Sequence, residues 1–135
     1  MQLSFLVQRI LADSGGSLDL SIIQMRLLGV LRDRQAGMLE LGRHLGLDKS
    51  SMTGLVDRAE RRGLVVRSPS PHDGRAVLVS LTPAGRTLTE QCGGEITRRL
   101  RHLTDRLAPA QRDELTRLAA ALLDPSSSQV SEPGG

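Results

Sequence analysis

Between Lys49 and Arg62 the sequence gathers side chains suited to contacting a polyanion. Ser50, Ser51 and Thr53 carry short hydroxyls, Gly54 carries no side chain, and Arg58, Arg61 and Arg62 follow. Hydroxyls can bond to base edges or phosphate oxygens, and the arginine fork matches phosphate geometry. On a helix of about 3.6 residues per turn, Met52, Leu55, Val56 and Ala59 share one face. Ser50, Thr53, Gly54, Asp57 and Arg61 take the opposite face, with Arg58 at its edge. One face packs and the other is left to meet a ligand. A glycine inside a helix costs roughly 1 kcal/mol relative to alanine, and close approach of the helix backbone to DNA is one reason to keep it. The competing explanation is a merely solvated helix face, so the elements around it have to decide.

A second group lies further along. Arg75 sits just past the tip of a polar, turn-forming stretch, Ser68-Pro69-Ser70-Pro71-His72-Asp73-Gly74. An arginine on a narrow projecting loop suits the electronegative minor groove of duplex DNA. Asp73, two residues earlier, is placed to hold the guanidinium in a bidentate pair. Taken alone, an ordinary salt bridge at a loop tip explains the two residues as well.

These groups need elements to hold them. Asp48 is an N-cap for the helix that carries the first group, which ends at Gly63. A short helix, about 39–45, precedes it and stops at Gly46, so two helices joined by a glycine-containing turn form a helix-turn-helix. From Leu64 the apolar period changes to two, predicting strands over 64–67 and 75–81 around the polar loop. A hairpin directly after a helix-turn-helix is a winged helix.

Upstream, Leu3, Leu6, Val7, Ile10 and Leu11 mark an amphipathic helix that Ser14-Gly15-Gly16-Ser17 should end. Ser21 and Gln24 form an S-x-x-Q capping box for a helix over about 22–33, closed by Gln35-Ala36-Gly37. Downstream, Thr82 caps and Pro83 opens a long helix to about 107, with the stripe Leu88, Cys92, Ile96, Leu100, Leu103, Leu107. Pro109 starts a last helix carrying Leu115, Leu118, Ala119 and Leu122. From Pro125 the composition predicts a disordered tail, 125–135. No internal repeat is visible.

Composition narrows the partners. At 135 residues the chain has room for one core. Phe5 is the only aromatic residue, which disfavours single-strand nucleic-acid modules that stack bases on aromatic platforms. The pI is 10.3, yet the net charge is only +3, because tyrosine is absent and arginine abundant. Residues 38–82 hold seven basic side chains against five acidic ones, so duplex binding has to rest on where the charges lie. No apolar run reaches the roughly 18 residues of a membrane span. The N-terminal residues do not read as a signal peptide, and the expectation is a cytoplasmic protein.

With these elements in order, the chain resembles the MarR family of bacterial regulators. The resemblance runs through LGRHLGLDKSSMTGLVDRAERRGLV at 41–65 and DGRAVLVSLTPAG at 73–85. These look like the family's recognition helix, its D-x-R wing and the L-T-x-x-G start of its long helix, and the helix order fits over most of 1–124. The resemblance implies one mainly α domain over 1–124 with a small β-hairpin wing. A winged helix-turn-helix lobe would occupy 21–82, and dimerisation helices would come from 1–20 and 83–124. It further implies a homodimeric repressor of a pseudo-palindromic operator in double-stranded DNA. A small anionic or phenolic effector bound between the lobes would release it.

On this reading Ser50, Ser51, Thr53 and Gly54 approach base edges, Lys49, Arg58, Arg61 and Arg62 reach phosphates, and Arg75 enters the minor groove with Asp73 supporting it. Some positions depart from the family pattern. Ala59 replaces a common leucine, Met38 occupies the place of an N-cap, and Gly74 replaces a frequent basic residue at the wing tip. The first helix is short, implying a smaller interface or a start codon assigned downstream. Gly93-Gly94 interrupts the long helix and invites a bend there.

Other residues carry weaker signals. His44, His72 and His102 lie on different elements without ligand spacing, so no metal and no cofactor are expected. Cys92, the sole cysteine, continues an apolar stripe and reads as packed, with a redox-responsive regulator as the alternative. No nucleophile elbow, phosphate loop or useful carboxylate pair appears, so an enzyme is not expected. The remaining rival is a winged-helix protein-interaction module that does not bind DNA.

Overall fold

The structure, a computed structural model, describes residues 2–124. The tail expected to be disordered, 125–135, lies outside the described residues. The order of elements is α1 (Gln2–Gly16), α2 (Ile22–Leu31), β1 (Ala36–Gly37), α3 (Met38–Leu45), α4 (Lys49–Arg61), β2 (Val65–Pro69), β3 (Val77–Leu81), α5 (Pro83–Thr104) and α6 (Pro109–Leu123). Backbone contacts divide the chain into two compact units, Met1–Arg99 and Leu100–Gly135, and α5 runs across the boundary.

In the first unit, α2, α3 and α4 enclose the core and a three-stranded antiparallel sheet, ordered β1-β3-β2, closes it. Leu27, Leu28, Leu31, Leu41, Met52, Leu55, Val56, Val65 and Val79 are essentially buried. Leu27, Leu31, Met52, Leu55 and Val56 are residues that helical periodicity places inward; Leu28 is buried beside them, whereas Ile23 and Val30, expected on the same inward face of α2, are only partly buried. Removing such side chains from water is worth roughly 1.5–3 kcal/mol each and is the main force holding the helix-turn-helix together. Ala59 is buried in the same core.

The caps explain the boundaries. Ser21 accepts from the Gln24 N–H while the Gln24 side chain accepts from the Ser21 N–H, the capping box expected for α2. Asp48 caps α4, with its Oδ1 accepting from the Ser51 N–H at 2.7 Å. Gly46 and Gly63 stop α3 and α4 at φ of 66° and 70°, left-handed values that glycine adopts without steric cost. The Thr82 hydroxyl accepts from the Gly85 N–H at 3.0 Å, confirming the cap of α5.

Several expectations are corrected. α1 does not stop before the Ser14 segment but continues to Gly16. Ser14 is fully buried and donates to the Ile10 carbonyl, and Gly15 packs so tightly that a Cβ would overlap the Leu20 carbonyl oxygen. At Gly15, therefore, packing outweighs the low helix propensity of glycine. α2 ends at Leu31, short of the expected 33.

Ala36 and Gly37, expected only to close the second helix, form β1, in register with Val79 and Leu78 of β3. Gly37, not Met38, is the N-cap of α3, and Met38 is the first helical residue. The hairpin strands are shifted relative to the expected bounds. Pro69 belongs to β2, where an edge strand tolerates its missing N–H, and Arg75 and Ala76 belong to the loop. α5 passes through Gly93-Gly94 without a break. Leu88, Cys92 and Ile96 pack one of its faces, and Glu95 pairs with Arg98 and Arg99 one turn on.

The second unit holds the end of α5 and α6. Gln111 accepts from the Ala108 N–H at the start of α6, and Arg112 pairs with Asp105 at 3.2 Å. α5 ends at Thr104, so Leu107 lies in the connection. α6 leaves Leu115, Leu118, Leu122 and Leu123 exposed, Leu122 by 85%.

Candidate nucleic-acid interface

α4 presents the face that its sequence requires. Met52, Leu55, Val56 and Ala59 are buried, while Lys49, Ser50, Ser51, Thr53, Arg58 and Arg61 are exposed and Gly54 is half-buried. Thr53 donates its hydroxyl proton to the Lys49 carbonyl at 2.8 Å, so its oxygen faces outward as an acceptor. The Arg58 guanidinium folds back along the helix toward Gly54, where a Cβ would stand 3.3 Å from Nη1. The missing side chain at position 54 thus makes room for the cation as well as for close approach to the helix.

Arg62 behaves differently from its neighbours. Its Nη1 donates to the Asp19 carbonyl at 2.6 Å and its Nη2 to the Leu18 carbonyl at 3.4 Å. It joins the end of α4 to the turn after α1, whereas the sequence assigned it to phosphates.

The wing tip is a self-bonded loop. Ser70 N–H donates to Ala76 O at 2.9 Å, Ala76 N–H to Asp73 O at 3.0 Å, and His72 N–H to the Ser70 hydroxyl at 3.3 Å. The Asp73 carboxylate accepts from the Arg75 backbone N–H at 3.1 Å and not from its guanidinium, which corrects the expected bidentate pair. An aspartate two residues before an N–H closes an Asx turn by this bond. Asp73 therefore shapes the loop and leaves the Arg75 guanidinium free. Among the described residues no carboxylate pairs with Lys49, Arg58, Arg61 or Arg75.

The residue that sequence reasoning missed is Arg67. From β2 its guanidinium donates to Asp57 Oδ1 at 2.6 Å and to Glu60 Oε1 at 3.2 Å, and the aspartate bond comes first in raising its pKa. Two carboxylates beside the cationic face of α4 are thereby neutralised, and the wing is tied to the helix. The signal was present, because Arg67 lies two residues after buried Val65 and so points to the same side of the strand, toward α4. The Asp48 carboxyl is likewise held below its ordinary pKa, chiefly by the Ser51 backbone N–H it caps.

A groove of about 620 Å³ lies between α3 and α4. Met38, Leu39, Leu47 and Met52 form its apolar bed, and Arg43, Lys49 and Thr53 supply polar groups. Leu39 is 71% exposed. On α3, His44 bonds to the Arg34 guanidinium, which also pairs with Glu40 at 3.3 Å. No group of three or more His, Cys, Asp or Glu that could hold a metal occurs among the described residues. Cys92 is buried and burial pushes its thiol up, the opposite of the electropositive, accessible setting that activates a cysteine.

The MarR family profile matches residues 18–76. The multiple antibiotic resistance protein MarR of Salmonella typhimurium is 37% identical over 87 residues, covering 62% of this chain and 59% of that protein. The match thus spans about three fifths of that relative's length. A mutant of Escherichia coli MarR complexed with operator DNA has a TM-score of 0.69 and 30% identity, covering 91% of this chain and 89% of that one. NadR in complex with 4-hydroxyphenylacetate has a TM-score of 0.72 and 25% identity, covering 90% and 86%.

Proposed function

Because the chain belongs to the MarR family of winged helix-turn-helix regulators, we propose that it binds a pseudo-palindromic operator in duplex DNA as a homodimer and represses transcription until a small effector binds. The observation that carries this reading is the cationic, hydroxyl-bearing face of α4, with its nearby carboxylates drawn away by Arg67. α4 enters the major groove, where Ser50, Ser51, Thr53 and Gly54 meet base edges. Lys49, Arg58 and Arg61 meet phosphates, and Arg75 reaches the adjacent minor groove from a loop set by Asp73. That the E. coli relative was solved with operator DNA supports DNA binding as the role of this chain.

The homodimer rests on exposed apolar side chains of the terminal helices. α1 exposes Leu3, Phe5 and Val7, and α6 exposes the four leucines already named. Large apolar groups left in water on two helices call for a partner surface. The half-sites then lie about one helical turn apart. The effector rests on the α3–α4 groove, whose occupant would share Lys49 and Thr53 with DNA, and on the NadR complex. An apolar bed with cationic groups suits a small organic anion. No helix among the described residues is long and apolar enough to cross a membrane, and the proposed site of action is the cytoplasm.

Selection from a random duplex pool, followed by titration at two salt concentrations, tests the proposal. Enrichment of an inverted repeat, bound by a dimer and weakened steeply by salt, supports it, because phosphate contacts release counterions. A folded dimer that enriches nothing at low salt overturns it in favour of a protein-interaction module.

A further inference from the structure

Two helices of the first unit, α1 and α2, end without a basic residue in their last turns. Their carbonyl ends are instead met by arginines from distant parts of the chain. Arg86 of α5 donates to the Arg32 carbonyl that follows α2, at 3.1 Å. Arg62, at the end of α4, donates to Leu18 and Asp19 just after α1. A cation at a helix C-terminus is favourable because the unpaired carbonyls there carry partial negative charge.

The turn that Arg62 grips is stiff. Leu18 N–H and Leu20 N–H both bond to the Gly15 carbonyl, and Asp19 N–H bonds to Gly16. Gly15 has no space for a side chain against Leu20, and Asp19 is the sole non-glycine residue with positive φ among the described residues, at 55°. A strained residue held between such bonds is a fixed point. The Arg62 fork therefore joins the end of the recognition helix to the end of α1 through a rigid turn.

We propose that Arg62 is a positioning residue: it makes no phosphate contact, and by fastening α4 to the α1 turn it sets the separation of the two recognition helices, and so the operator spacing. This rests on the DNA-binding homodimer proposed above, in which α1 is part of the interface. A planar fork bonding two successive carbonyls fixes direction, whereas a lysine would supply charge without that geometry.

The experiment compares wild type with Arg62→Gln, Arg62→Lys and, as a phosphate-contact reference, Arg61→Gln. Each folded dimer is titrated against the selected operator over a range of salt and against operators with the half-site spacer one base pair longer or shorter. For Arg62→Gln and Arg62→Lys the expected result is weaker binding to the preferred spacer, a flattened spacer preference and an unchanged salt slope. Arg61→Gln should keep the spacer preference and lower the slope by about 0.9. If Arg62→Gln does not fold, Arg62→Lys is read by the same criteria. A slope reduced in the Arg62 variants, or a spacer preference identical to wild type, overturns the proposal. A wild-type protein that enriches no duplex overturns the DNA-binding reading itself and this proposal with it.

Discussion

Gly85, in the first turn of α5, lies so close to the main chain of Leu64 that a Cβ at Gly85 would overlap the Leu64 carbonyl oxygen. The same oxygen accepts from the Thr82 N–H at 3.1 Å, and the Thr82 hydroxyl bonds to the Gly63 carbonyl. The end of the α4 turn and the start of α5 are thus pressed together backbone to backbone. A carbonyl held this way cannot swing aside as a side chain would. Gly85→Ala is expected to lower stability by about 1–3 kcal/mol, the usual range for an overpacked site. Urea unfolding of the two proteins checks it, and equal midpoints would show that the junction can open.

Arg67 should matter for DNA binding although it is not assigned a contact with DNA. Arg67→Gln leaves Asp57 and Glu60 unpaired next to the phosphates. Being a partly exposed pair, it should cost the fold no more than about 1 kcal/mol. Affinity should fall about tenfold at low salt, with the deficit shrinking as salt screens the carboxylates. Adding Asp57→Asn and Glu60→Gln to the same chain should restore most of the loss. A deficit that persists in the triple variant would assign Arg67 a direct contact.

The wing offers a pair of substitutions with different expected effects. Arg75→Ala removes the proposed minor-groove side chain and should weaken operator binding by about 1–3 kcal/mol. Asp73→Asn keeps an oxygen acceptor for the Arg75 N–H and should bind nearly as wild type, whereas Asp73→Ala loses the turn bond and should bind less well. Equal loss in both Asp73 variants would mean that charge, and not the turn, is what Asp73 contributes.

Much of this was legible in the sequence because it depends on local pattern. The capping box at Ser21, the cap at Asp48, the stop at Gly63 and the inward stripe of α4 all follow from spacings of four residues or fewer. What was not legible depends on distant partners. Arg62 resembles any cation at a helix end until Leu18 and Asp19, more than forty positions away, are folded against it. Two residues at Ala36–Gly37 cannot announce a strand, since β3 supplies their register. The Gly15-Gly16 pair was over-read as a helix end, because propensity was weighed without the close packing of Gly15 against Leu20.

Glu95 gives a pH signature. Hydrogen bonds from Arg98 first and Arg99 second hold its carboxyl at about 2, below its ordinary 4.5. A depressed carboxyl stabilises the fold above its unfolded pKa and loses that contribution as pH falls through the folded value. Glu95→Gln should therefore be less stable than wild type at neutral pH, with the gap closing as pH falls from about 4.5 toward 2. Urea unfolding of both proteins across that range checks the sign, and a gap independent of pH would exclude the ion pair as its cause.

The hydrogen bonds described for the wing tip, from Ser70 to Ala76, begin and end within that loop. Its shape is consequently portable. Residues 70–76 can be exchanged as a cassette between scaffolds, provided that the pairing of Pro69 with Val77 is kept at the splice. Minor-groove preference and major-groove preference can then be altered one at a time, the first by replacing seven residues and the second by redesigning α4.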